Sequence, residues 1–154
     1  MIQGKWFPQG SDLAAPLAIR QAVFFRGQDE RDSLAQQVVV YRDGIPAGSA
    51  RLWWEEGAFH LGDVGVLAAE RGKGLGDLLV RLLLFKAVSH YASRVELETP
   101  PETVPFFARY GFMAGEAAAD SPRIPMSIRG EAIVLSHCGT EHCNGCCETC
   151  GQPG

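Results

Sequence analysis

The first 137 residues contain no cysteine, basic residues are in the minority, and no apolar run approaches the length of a membrane span. Each absence closes off a class of protein. A small secreted scaffold would spread cysteines through its loops to staple distant elements. The 14 Lys and Arg against 18 Asp and Glu leave a net charge of −4, without the basic stripe that nucleic acid demands. A spanning helix needs ~20 consecutive apolar residues, and the opening residues lack the charged-then-apolar order of a secretion signal. These features predict a cytoplasmic protein whose partners include neither nucleic acid nor a membrane.

What the body lacks is gathered at the end. Cys138, Cys143, Cys146, Cys147 and Cys150 lie in the last segment, with His137 and His142 among them. We therefore divide the 154 residues into one domain, 1–136, and a thiol-rich tail, 137–154. The two Cys-x-x-Cys units of the tail abut, so Cys146 and Cys147 cannot easily face one ion together. A tetrahedral zinc could draw on one unit plus Cys138, His137 or His142. An iron–sulfur cluster, redox thiols and an inert tail stay open as alternatives.

Along the body, residues 1–7 read as a short strand. Asp12 is placed to cap a helix whose stripe is Leu13, Leu17, Arg20, Val23 and Phe24. The charged stretch Arg26 to Asp32 reads as a solvated loop. Val38 to Tyr41 is a β-branched run ended by Asp43-Gly44, a hairpin signal. Two further strands, through Trp54 and from Ala58 to Val66, complete a meander. Leu75, Leu78, Leu79, Leu82 and Leu83 then recur at helical spacing, and that helix should run to about Tyr91. A strand over 94–99, a short helix over 103–110 closed by Gly111, and strands at Phe112 and over 127–136 follow. Strands 58–66 and 94–99 flank a helix, so they should lie parallel with a right-handed crossover. The fold class is α/β with a mixed, mostly antiparallel sheet and flanking helices.

The most informative segment is Arg71-Gly72-Lys73-Gly74-Leu75-Gly76, which leads straight into the leucine-rich helix. Glycines at alternate positions leave the backbone bare, so successive N–H groups can converge on an anion at the positive end of the helix. A nucleotide P-loop would need Ser or Thr after Lys73, where glycine stands. The dinucleotide fingerprint would need glycine at Leu79.

With Val66-Leu67-Ala68-Ala69-Glu70 before it, this segment is similar to the Arg/Gln-x-x-Gly-x-Gly/Ala signature of the GCN5-related N-acetyltransferase superfamily. Val104-Pro105-Phe106-Phe107-Ala108-Arg109-Tyr110-Gly111-Phe112 resembles that superfamily's aromatic helix ending in Gly-Phe. The resemblance covers roughly residues 13–136. It implies that strands 58–66 and 94–99 splay apart and that acetyl-CoA wedges between them. Arg71, Gly72, Lys73, Gly74, Leu75 and Gly76 would hold the pyrophosphate. Val64, Val66, Leu67 and Phe107 would line the pantetheine arm.

The implied reaction is acyl transfer from a thioester to an amine acceptor. It needs in-line positioning, an oxyanion donor such as a backbone N–H near Val66, a base and an acid. His60 and Asp63 are both candidates for the base; an unperturbed imidazole, with a pKa of about 6.5, suits that task. Strand alternation puts the two on opposite faces unless a bulge intervenes. The superfamily's usual acid, the tyrosine of a Phe-Tyr pair, is replaced by Phe107; Tyr110, one turn on, is the remaining candidate. Loops 26–36 and 120–126 would border the acceptor. A non-catalytic acyl-CoA-binding or metal- or redox-sensing module on the same fold is the alternative reading, and a metal-delivery protein a third. A homodimer stays among the options for assembly.

Overall fold

The computed structural model describes residues 1–134. Strands β1 (Ile2–Phe7), β2 (Gln36–Arg42), β3 (Ile45–Glu55), β4 (Ala58–Val66), β5 (Arg94–Thr99), β6 (Met113–Ala114) and β7 (Ile124–Arg129) form one sheet in the order β1-β2-β3-β4-β5-β7-β6. Every neighbouring pair is antiparallel except β4 and β5. Helices α1 (Ala14–Phe24), α2 (Leu75–Ser89) and α3 (Val104–Ala108) complete the fold. It is the expected mixed α/β architecture.

The two long helices cover opposite faces. A side chain added at Gly48 would meet Leu79 of α2, whereas one added at Gly65 would meet Val23 and Phe24 of α1. Gly48 pairs with Val66 and Ser49 with Gly65, so alternation sets those two glycines on opposite sides of the sheet. On the α2 side, Leu79, Leu83, Leu84 and Ala87 pack on Val38, Val40, Leu52 and Val95 in one buried cluster. Burying a leucine side chain of this kind contributes about 1.5–3 kcal/mol. Gly48 leaves no room for a side chain: a Cβ there would lie 2.9 Å from the Gly65 carbonyl oxygen on the neighbouring strand and 3.1 Å from Leu79.

Two local features differ from the sequence reading. The last strand, expected over 127–136, runs instead from Ile124 to Arg129. Pro125 is accommodated because its carbonyl, and hence the side where its N–H would be, faces Gly115 and the two-residue β6. The strand stops where Gly130 donates to the Ser93 carbonyl and presses on Ala92, leaving no space for a side chain. The second difference is the stretch 26–32, expected to be solvated, which carries the buried Asp32. Asp12 accepts from the Ala14 N–H at 3.0 Å, one position ahead of the cap residue Leu13.

The seam between β4 and β5 positions the site. These parallel strands pair only at Phe59 with Val95 and at His60 with Glu96. Beyond His60 they part, as expected. On its other edge β4 carries a bulge: Ser49 pairs with Gly65 and Arg51 with Gly62, so Ala50 alone faces Asp63 and Val64. Asp63 adopts a left-handed conformation there, with φ 53°. Aspartate tolerates that region better than bulky residues do.

Candidate active site

A cleft of about 490 Å³ opens where the glycine loop meets α2. Gly74 is the cap residue of α2 with φ 79°, and Gly72 has φ 81°. No atom lies within 4 Å of where a Cβ would stand on either, so the approach to the backbone is open. The first bond of the helix joins the Leu78 N–H to the Gly74 carbonyl. The N–H groups of Leu75, Gly76 and Asp77 therefore have no acceptor within the helix. Together with the helix dipole they form an anion-binding end.

Of the residues named as cofactor candidates, Val64, Val66, Arg71, Gly72, Gly74, Leu75, Gly76 and Phe107 line this cleft; Leu67 and Lys73 do not. The Leu67 N–H is committed to the Ala47 carbonyl at 2.8 Å. By alternation the peptide groups of Val64 and Val66 then face the open seam, where β5 no longer pairs. The Val66 carbonyl takes a hydrogen bond from Arg71 Nε at 3.0 Å. Lys73 instead donates to the Ala69 carbonyl and neighbours Glu70 at 3.6 Å. Glu70 is gripped by Arg42, which holds its carboxyl below the usual range. Phe106 and Phe107 form the far wall; Phe106 would be 3.7 Å from a Cβ on Gly76.

A larger cleft, about 820 Å³, lies on the other side of the bulge. Asp63 lines it and the adjacent Val64 lines the smaller one, so the bulge is the partition between them. His60 and Asp63, expected on opposite faces without a bulge, both line this larger cleft because the bulge is present. His60 stacks on Trp53 with ring centres 5.6 Å apart. Its Nε2 is 3.1 Å from the Glu55 carbonyl, which can only accept, so Nε2 carries the hydrogen and Nδ1 presents a lone pair. Glu96 lies 3.8 Å from the same ring.

Asp63 sits in a charged cluster that the sequence reading missed. Arg26 donates to its Oδ1, Arg51 Nε is 2.9 Å from its Oδ2 and Arg20 Nε is 3.5 Å away. The Arg51 contact is close yet misaligned for a hydrogen bond, which leaves Oδ2 without a donor. Behind it, Arg20 grips Asp32 through two 2.8 Å bonds, while Gln37 and Arg51 donate to the same carboxylate. Burial alone would raise the Asp32 carboxyl, but the Arg20 hydrogen bonds and the paired charges outweigh it and hold it well below the usual range. Arg51 also grips Asp29, whose carboxyl is lowered for that reason. Asp29 and Asp32 cap the 3-10 turn Glu30–Ser33 reciprocally. One signal was legible: Arg20 occupies a position in the apolar stripe of α1, where a charge must find partners.

Tyr110 lines neither cleft. Its hydroxyl donates to Asp77 in the first turn of α2, and Arg81 and Arg109 flank its ring. Burial, then the Asp77 carboxylate, pushes its phenol well above the ordinary value. The ligand set expected in the tail, from His137 to Cys150, lies outside the described residues. Among the described residues no group of three or more His, Cys, Asp or Glu side chains could hold a metal, and nothing supports zinc. No helix among them is long and apolar enough to cross a membrane.

Residues 22–126 match the acetyltransferase (GNAT) domain family. The chain belongs to that family, and the protein is an N-acetyltransferase. It is 28% identical over 102 residues to YjcF, an uncharacterized N-acetyltransferase of Bacillus subtilis, a match spanning 61% of this chain and 73% of YjcF. Among solved structures it is similar to an acyl-CoA N-acyltransferase from Pseudomonas aeruginosa, with a TM-score of 0.75 and 25% identity, covering 82% of this chain and 99% of that one. A GNAT family acetyltransferase from Elizabethkingia anophelis with acetyl-CoA bound shares the fold at 12% identity, with a TM-score of 0.69 over 83% and 97% of the two chains.

Proposed function

We propose that the protein binds acetyl-CoA in the smaller cleft and transfers the acetyl group to an amine received in the larger one. The observation that carries this reading is the partition: adjacent residues Asp63 and Val64 belong one to each cleft, at the place where the sheet is open. The fit of the smaller cleft rests on its open left-handed glycines, its unbonded helix N–H groups and the seam-facing peptides of Val64 and Val66. A diphosphate suits the first two and an extended amide-bearing arm the third. Once bound, the cofactor supplies an activated acetyl thioester.

His60 is the preferred base, because Nδ1 has a lone pair while the Asp63 carboxylate is shared among three guanidinium groups. Asp63, which lines the same cleft, is the second candidate. The base takes a proton from the acceptor ammonium, directly or through a water; the freed nitrogen bonds the acetyl carbon and gives up its second proton to solvent as the carbon–sulfur bond breaks. The Val66 N–H is the backbone donor placed to meet charge developing on the carbonyl oxygen. Phe107 has no proton to give and Tyr110 is turned to Asp77, so the leaving thiolate takes its proton from solvent. An electrophilic test settles the reading: thiol release with an amine panel, beside calorimetry with acetyl-CoA. Binding with amine-dependent thiol release is expected; no binding at all would sink the assignment of the smaller cleft.

A further inference from the structure

The charged groups that wall the larger cleft are unequally committed. Asp63 is shared by Arg20, Arg26 and Arg51, Glu96 takes Arg94 at 2.6 Å, and Glu55 accepts from Trp53 Nε1 at 2.9 Å. Among the described residues two guanidinium groups are left without an ion pair, as are the carboxylates of Glu56 and Glu98 on the same wall. Arg31 lies over Trp53, its guanidinium carbon 5.1 Å from the ring centre. Arg123, just ahead of β7, donates one N–H to the Glu98 carbonyl at 2.7 Å. Among the described residues neither has a carboxylate partner, and both line the cleft that holds His60.

Their placement is fixed by the fold. Arg31 belongs to the 3-10 turn that Asp29 and the buried Asp32 cap, and it rests on a buried indole. Arg123 is tied across the β5–β7 pair. Each guanidinium has N–H groups to spare, in the fork geometry that receives a carboxylate or phosphate in two parallel bonds. A polycationic acceptor would leave both of them unpaired. An acceptor with an oxyanion of its own would satisfy them while its amine reached the His60 and Asp63 end.

We infer that the acceptor is a small amine carrying an oxyanion, carboxylate or phosphate, and that Arg31 and Arg123 are the residues that select it. This rests on the N-acetyltransferase reading and narrows its acceptor class. The test uses matched pairs with the full chain and acetyl-CoA: β-alanine against its amide, 2-aminoethyl phosphate against ethanolamine, with spermidine as the cationic control. The anionic member of at least one pair should show kcat/KM about tenfold higher or more, the size expected of one charge-assisted contact. Comparing the two anionic members shows which oxyanion is preferred. Arg31→Gln and Arg123→Gln should each lower that anionic-to-neutral ratio about tenfold through KM, with the melting temperature held.

Equal rates within every pair, a preference for spermidine, or a ratio that neither variant moves would each overturn the inference. A second readout does not need turnover: N-acetyl-β-alanine or N-acetyl-aminoethyl phosphate should bind the coenzyme A-loaded protein by calorimetry, and more weakly after either substitution. If neither compound binds while acetyl-CoA does, the acceptor class falls and the cofactor assignment stands. Absence of acetyl-CoA binding would remove both.

Discussion

The cleft at the glycine loop takes most of its wall from one continuous stretch of main chain and from apolar side chains, with Glu70, Arg71, Asp77 and Arg109 beside them, whereas its neighbour is walled largely by charged side chains from segments far apart in sequence. In the first, an anion meets N–H groups whose direction is set by two left-handed glycines and the start of a helix. In the second, each charge is held by other charges, and the wall exists only after β3, β4, β5 and β7 have assembled. A site made of main chain carries its own local signature. A site made of side chains inherits its shape from the whole topology.

The contrast can be broken most forcefully at Asp32. Asp32→Ala leaves Arg20 and Arg51 buried without their shared carboxylate and should cost about 3–5 kcal/mol, read from urea unfolding. The wild type should show the same dependence on acid. The folded-state carboxyl of Asp32 lies below its unfolded value. Its contribution is therefore fully present above the unfolded pKa of about 3.9 and is lost as pH falls through the folded value. In Asp32→Asn that part of the acid-dependent loss should vanish from unfolding midpoints compared at neutral and acid pH. An unchanged midpoint in Asp32→Ala would mean that the charged cluster does not hold the larger cleft in place.

Next in size is the base. His60→Gln should lower kcat by about a hundredfold while acetyl-CoA affinity by calorimetry stays put, since the residue lines the other cleft. A comparable loss in Asp63→Asn with an intact His60→Gln would transfer the role to Asp63. Smaller still is the glycine loop: Gly74→Ala forces a β-carbon into φ 79° and should cost roughly 1–2 kcal/mol, about tenfold in acetyl-CoA Kd. The least effect is expected at Lys73. Its ammonium is tied to Ala69 and Glu70 and Lys73 does not itself line the cleft, so Lys73→Ala should change acetyl-CoA Kd by no more than about twofold. A larger change would return Lys73 to the cofactor site.

The same contrast explains what could be read from the chain. The bounds of β4 and β5 and the start of α2 were legible because hydrophobic period and glycine spacing are local quantities. The placing of Gly72, Gly74 and Gly76 at the open start of α2, beside the smaller cleft, was legible for the same reason. Residues 26–32 read as solvent-facing because their charges have partners on α1, β2, β3 and β4 that no window of sequence displays. The bulge was foreseen only as a condition, since it depends on the register of β3. Phe107 was visible as a missing acid, but where the Tyr110 hydroxyl points had to come from the packing of α2 against it.

The additional residue in β4 works as a phase shifter. If that residue paired regularly instead of bulging, the peptide planes beyond Gly62 would be turned by half a repeat, and Gly65 rather than Val66 would offer its amide to the gap in the sheet. The same half-turn sets which wall receives the Asp63 carboxylate. The register set by the bulge thus aligns both clefts at once, so under the proposed function the two substrates share one geometric dependency.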